Sequence, residues 1–440
     1  MWQEPSDNGF SRAAFPYTLK QNNTNCEANG VATFLFHSDQ RVSNVHVQNI
    51  AETCYFYRFE FYGLLDAQYM SGSVLNKAEV IATRNQEENG FIATKPLSSL
   101  ADDFSGVNLA NYAYAMPSET LNGFGLFVNG VFYTDGCATR YGEHPYCTDK
   151  TIALYSFTKS IHAFLMVAAI EAQYPGFRHE LIQTWIPECA DARWDNVTIE
   201  NALDMATGNY QSAAYHQDES SSAIGSEYFP KTTQRERADF ACNGWPKRVE
   251  PGTYSVYHTT DTELVGYTAT AFLNAQLNNN AQSFDTVMVP FFEALNLSQY
   301  IQGSQRTTDT NAPWAGYGLS ATLNDVMRIA LYIRDQAPND AFFDNAMIRE
   351  VLTGKPQGLD ANVANLNYDN GFWRLHVGAT STMRACGDDT QVPMMSGFGG
   401  HTLVILPNVI VMQFTDSGET GILRTIDDIF TNISNTCPDR

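Results

Sequence analysis

The sequence predicts an α+β fold: an antiparallel β-sheet flanked by helices with a helical lobe, preceded by a β-rich N-terminal extension. Three observations predict it. Two hairpin signatures lie far apart, at 123–133 and 402–414. Residues 180–345 between them read as largely helical, the arrangement of an α+β domain carrying a helical insert. Ahead of both, residues 1 to about 105 have strand-type composition without helical periodicity. The chain is therefore divided into 1–105, a β-rich extension or module, and 106–440, the main domain.

In chain order, 31–36 and 54–62 are rich in β-branched and aromatic residues, as strands are. Asn129-Gly130 between the apolar runs 123–128 and 131–133 supplies a type I′ hairpin turn. Ser156-Phe157-Thr158-Lys159 heads the apolar stretch 160–170, a helix that ends near Tyr174-Pro175-Gly176. A polar loop at 217–222 interrupts the helical segment. After the Pro251-Gly252 turn, a loop presents Tyr257 and leads into a helix that Asp261 or Thr260 can cap. Pro407-Asn408 joins the strands of the second hairpin, and an amphipathic helix from about 420 to 433 closes the chain.

Lys and Arg number 26 against 48 Asp and Glu, a net charge of -22, which argues against nucleic acid or an anionic membrane as a partner. No apolar run reaches transmembrane length. The eight cysteines are spread singly, without a Cys-x-x-Cys pair, and read as four disulfides. The sequential pairing, Cys26–Cys54, Cys137–Cys147, Cys189–Cys242 and Cys386–Cys437, is the simplest. With sequons at Asn22, Asn196, Asn296 and Asn432, the cysteines favour a secreted or periplasmic protein. The first residues lack a basic and apolar leader, so a signal peptide is not expected within the chain.

The chemistry starts at Ser156. A serine hydroxyl needs a base to take its proton, and a lysine desolvated one helical turn away can be that base. A helix N-terminus adds N–H groups and a positive dipole end, suited to a developing oxyanion. Tyr257, beside a lysine ammonium, would be stabilised as phenolate or serve as a proton relay.

These elements resemble the serine β-lactamase and penicillin-binding protein superfamily, and within it the class C β-lactamase-like serine hydrolases, nearest to family VIII carboxylesterases and 6-aminohexanoate-dimer hydrolases. Ser156-Phe157-Thr158-Lys159 resembles the Ser-x-x-Lys motif, and the stretch from Thr198 to Gly208 the segment that follows it. Tyr257-His258-Thr259 lies where the family has Tyr-x-Asn. Gly318-Leu319 to Arg328 resembles a helix-opening signature, and Ser396-Gly397-Phe398-Gly399-Gly400 the last sheet hairpin. The resemblance spans about 120 to 435. Two positions depart from it. Thr259 replaces Asn, and the Tyr-x-Thr followed by Asp261 more closely resembles the 6-aminohexanoate-dimer hydrolase branch; Gln391-Val392-Pro393 stands where Lys-Thr-Gly is expected. Losing that lysine removes the cation for a β-lactam or peptide carboxylate.

The resemblance implies acyl transfer. Lys159 deprotonates Ser156, Ser156 attacks an ester or amide carbonyl, and Tyr257 protonates the leaving group. The oxyanion would rest on the Ser156 N–H and an N–H near Met394, Gly397 and Phe398. Tyr215, Thr259, Trp314, Trp373 and His401 are further candidates for substrate contact. No metal or cofactor is required, and the partner is a small-molecule ester or amide. Carboxylic esters lead, linear amides or oligoamides follow, and a non-catalytic binding protein of the same fold is the rival. There is no Gly-x-Ser-x-Gly elbow to support an α/β-hydrolase.

Overall fold

The computed structural model describes residues 1–22, 24–54, 61–117, 120–139, 141–353, 358–376 and 391–433. Four antiparallel strands open the chain in sequential order: β1 (Ser11–Lys20), β2 (Glu27–Phe36), β3 (Val45–Thr53) and β4 (Tyr62–Leu65). The strand expected at 31–36 is the second half of β2. Of the one expected at 54–62, Tyr62 opens β4, while 55–60 lie outside the described residues.

The central sheet follows. Its first strands are β5 (Thr94–Pro96), β6 (Leu121–Val128) and β7 (Val131–Asp135). A small ribbon, β8 (Ala138–Thr139) with β9 (Gly142–Glu143), and a separate pair, β10 (Thr151–Ala153) with β11 (Ser320–Thr322), come next. The remaining strands are β12 (Leu359–Val363), β13 (Leu366–Asp369), β14 (Phe372–His376), β15 (Gln391–Gly397), β16 (His401–Ile405) and β17 (Val409–Thr415). In space they run β12-β13-β14-β15-β16-β17-β6-β7-β5, so the two predicted hairpins become neighbours through β17 and β6. Only β5 joins in parallel, and it comes from the stretch assigned by sequence to the extension.

Local chemistry accounts for both hairpins. Asn129 and Gly130 adopt φ of 50° and 79°, the left-handed pair a type I′ turn needs, and Val128 faces Val131 across it. Side chains alternate across β16 and β17. Leu403, Ile405, Ile410, Met412 and Phe414 join the core around the Leu165–Gln173 helix, whereas Val404, Val409 and Val411 face Ile422, Ile426 and Ile429. Because both faces are covered, β17 opens with four consecutive apolar residues, Val409 to Met412, rather than an alternating pattern. The closing helix spans Ile422–Asn432, within the expected range.

Three of the four sequential disulfides are present: Cys26–Cys54, Cys137–Cys147 and Cys189–Cys242. Cys386 and Cys437 lie outside the described residues.

The N-terminal sheet is fastened to β10, the strand that leads to Ser156. The Asn29 carboxamide accepts from the Thr151 N–H (2.9 Å) and donates to the Thr151 carbonyl (3.0 Å), imitating a strand partner. The Ala153 N–H donates to Thr53 Oγ1 at 3.2 Å. The Tyr155 hydroxyl donates to the Thr53 carbonyl at 3.4 Å. Tyr155 adopts φ 45°, a left-handed conformation that costs a bulky residue about 1–2 kcal/mol. Its ring packs against Phe398 and His401, with centroids 5.6 and 5.5 Å away.

Candidate active site

Ser156 lies in the turn after β10. The N–H groups of Phe157, Thr158 and Lys159 already donate to the carbonyls of Leu154, Tyr155 and Ser156. The free helix N-terminus expected from sequence is therefore consumed by the turn itself. Lys159 begins a π-helical turn, Lys159–Phe164, of a kind common at functional sites, and the α-helix Leu165–Gln173 continues it.

Lys159 is buried, and its Nζ makes three hydrogen bonds: to Ser156 Oγ (2.9 Å), Thr259 Oγ1 (3.0 Å) and the Gly316 carbonyl (2.8 Å). Burial lowers its pKa to about 8, against the pull of Glu219, Glu263 and Asp261, which favour the ammonium. Gly316 is required by contact. A Cβ there would lie 2.7 Å from Thr259 Cγ2 and 3.0 Å from its carbonyl. The Gly316 N–H donates to Glu263 (3.2 Å), so the residue whose carbonyl holds Lys159 is itself anchored through its own N–H.

Tyr257 is held by the segment recognised in sequence after the serine. The Val256 N–H donates to the Met205 carbonyl (2.8 Å), and the Gly252 N–H to the Ala206 carbonyl (2.7 Å). The Tyr257 hydroxyl faces Ser156, while Lys159 Nζ lies over the ring, 5.1 Å from its centroid. Burial and the Glu219 charge push its pKa up, with Ser156 opposing. Burial thus favours the neutral phenol of Tyr257.

The helix after Tyr257 spans Thr259–Leu277, and neither Asp261 nor Thr260 caps it. Glu219, from the loop read as merely polar, takes that place. Its Oε2 accepts from the Thr259 N–H (2.9 Å) and its Oε1 from the Thr259 hydroxyl in a short bond. A carboxylate at a helix N-terminus also complements the helix dipole. Behind it, Asp218 pairs with His258 Nε2 (3.1 Å). Burial opposes the charge on His258, but Asp218 and Asp261 raise its pKa overall.

The site opens into a narrow cleft, ≈ 260 Å³ counting its mouth, lined by Tyr215, His216, Tyr257, Tyr368, Trp373 and Met205 among others. Trp373 stacks on Tyr257 (5.4 Å, 13°), and Tyr215 meets Trp373 edge-on at the exposed end. Burial and Lys159 lower His216 to about 4, so it presents a neutral imidazole.

The structure therefore brings Ser156, Lys159, Tyr257 and Thr259 together, with Tyr215 and Trp373 along the adjoining cleft. Trp314 and His401 lie elsewhere. Trp314 is fully buried against the Arg237 guanidinium (4.3 Å), and buried His401 bonds the Ala153 carbonyl through Nε2 (3.1 Å). The β14–β15 ladder ends at the Trp373–Met394 pair, leaving that edge of Met395 to Gly397 without a strand neighbour among the described residues. Gly397 passes the serine turn so closely that a Cβ would lie 3.0 Å from the Leu154 carbonyl. Phe398, beyond it, is partly exposed beside Tyr155. Glu219, Gly316, Glu263 and His216 were not singled out from sequence.

No family model matches the sequence, and no curated protein matches it. Solved structures do. A Bacillus anthracis protein described as a 6-aminohexanoate-dimer hydrolase is 15% identical, with TM-score 0.50, covering 77% of this chain and 81% of its own. A class C β-lactamase is 13% identical, with TM-score 0.50, covering 84% of this chain and 100% of its own. A variant of such an enzyme is 12% identical at the same TM-score, covering 82% and 98%. At these identities the likeness is one of fold, and the fold of this chain is β-lactamase-like.

Proposed function

We propose that the chain is a serine hydrolase that cleaves carboxylic esters through an acyl-enzyme on Ser156. The observation that carries this reading is a buried Lys159 Nζ, 2.9 Å from Ser156 Oγ, with a pKa lowered to about 8. A base so placed takes the serine proton as the hydroxyl attacks, a contribution of about 10²–10⁴-fold. The edge of β15 near Gly397, without a strand neighbour among the described residues, and the Ser156 N–H are the groups that would receive the oxyanion. Tyr257, a neutral phenol facing Ser156, would protonate the leaving group. Deacylation reverses these roles, with water in place of the alcohol.

Ester cleavage is favoured over β-lactam cleavage by the cleft. Its lining is aromatic, and the strand position where a lysine would bind a carboxylate carries Gln391, which bonds His376 (3.1 Å). Linear amides are the second substrate class, the one named for the Bacillus anthracis protein of similar fold.

The test is intact mass after incubation with a fluorophosphonate. One adduct is expected on the wild type and none on Ser156→Ala. Folded wild type without an adduct would refute the nucleophile and favour a binding protein.

A further inference from the structure

We propose that Glu219 is a positioning residue for proton transfer, fixing the Thr259 hydroxyl so that Lys159 turns its lone pair to Ser156. The inference deepens the hydrolase reading and rests on it.

A neutral amine has two N–H donors and one lone pair. Lys159 can serve as base only if the lone pair, not a hydrogen, meets the serine hydroxyl. Three oxygens surround Nζ: Ser156 Oγ, Thr259 Oγ1 and the Gly316 carbonyl. The carbonyl can only accept. A threonine hydroxyl can accept or donate, so left alone it could give its proton to the amine and occupy the lone pair. Glu219 removes that freedom. Its Oε1 takes the Thr259 hydroxyl proton, and its Oε2 takes the Thr259 N–H (2.9 Å). Thr259 Oγ1 then presents only lone pairs to Nζ. With both amine hydrogens directed to Thr259 and Gly316, the remaining lone pair faces Ser156 Oγ. On attack, the proton moves from Ser156 Oγ to Nζ, and the ammonium keeps its three acceptors.

The loop is built to hold Glu219 there. The neighbouring Asp218 accepts from the N–H groups of Gln211 (2.7 Å) and Ser212 (2.9 Å), and it bonds His258 Nε2 on the far side. The loop is therefore pinned at both flanks of the Thr259 helix start.

The groups facing Lys159 define the expected pH behaviour. Glu219 comes from this loop, Asp261 and Glu263 from the Thr259–Leu277 helix, Ser156 from its own turn, and Tyr257 and His216 from the cleft wall. Glu219 heads the negative groups that favour the ammonium. Removing its charge lowers the lysine pKa, so the lone pair becomes available at lower pH.

The experiment is the rate of fluorophosphonate adduct formation against pH for wild type, Glu219→Gln and Thr259→Val. In Glu219→Gln the acidic limb should move down by about one pH unit, because an opposite charge has been lost. Its plateau should fall roughly ten-fold or more, because the amine is no longer oriented. Thr259→Val is nearly isosteric and keeps the capped N–H, so it should fold. It should show a similar loss of plateau. A wild-type limb in folded Glu219→Gln, or a wild-type plateau in Thr259→Val, would overturn the proposal. No adduct even on wild type would instead sink the hydrolase reading itself.

Discussion

Lys159→Met is expected to lower the rate of ester hydrolysis by about 10³-fold or more without lowering the melting temperature. The rate follows from losing a general base worth about 10²–10⁴-fold. The stability expectation follows from what the native residue costs. Folding buries an amine that prefers water and lowers its pKa from 10.5 to about 8. Methionine fills a similar volume without that desolvation, although the Gly316 carbonyl loses a partner. Activity and stability thus pull in opposite directions here, as at many functional sites. In the wild type, kcat/KM should rise with pH through about 8, because the neutral amine is the active form. A flat profile between pH 6 and 9, or a Lys159→Met protein that keeps its rate, would count against lysine as the base.

The second large effect is on stability. Arg237→Ala is expected to cost about 3–5 kcal/mol, because it leaves a buried carboxylate unpaired. Arg237 Nε bonds Glu263 at 3.0 Å, and both side chains are fully buried. Its other nitrogens donate to the hydroxyls of Tyr228 (2.9 Å) and Tyr317 (3.0 Å), and its guanidinium lies over the rings of Tyr228 and Trp314. Glu263 in turn receives the Tyr267 hydroxyl (2.9 Å) and the Gly316 N–H. The pair therefore reaches the candidate active site through Gly316, the residue whose carbonyl holds Lys159. Replacing both, as in Arg237→Met with Glu263→Leu, should recover most of the lost stability but not the full rate. Urea midpoints at constant m-value measure the first effect, and adduct kinetics the second. Equal loss in single and double variants would show that the ion pair matters only as packing.

What could be read beforehand follows the range of the interactions. Asn129-Gly130 encodes its turn within two residues, so the first hairpin was legible, as was the paired run at 402–414. Ser156 and Lys159 are three residues apart and needed only a helical turn to meet. Tyr257 was found through its Pro-Gly loop and the family likeness. Glu219 was hidden. In sequence, Gln217 to Ser222 is indistinguishable from a solvated loop, and only the packing of that loop against the Thr259 helix start gives it a task. Trp314 shows the converse ambiguity: an aromatic suited to a cleft is equally suited to cover a buried guanidinium, as it does here. The helix cap failed because its acceptor lies 40 residues upstream of Thr259.

The carboxamide of Asn29 also bears on where this chain can be cut. Trimming it at residue 106, to leave the part that resembles the hydrolases, would strip both main-chain partners from Thr151 and one from Ala153. It would also remove β5 from the edge of the central sheet and the Thr53 contact from Tyr155, the residue bent into place just before the nucleophile. The shortened protein is expected to be poorly soluble and unreactive toward a fluorophosphonate, whereas supplying residues 1–105 as a separate chain should restore some labelling. In that sense the leading hundred residues behave less like an appendage than like a built-in splint.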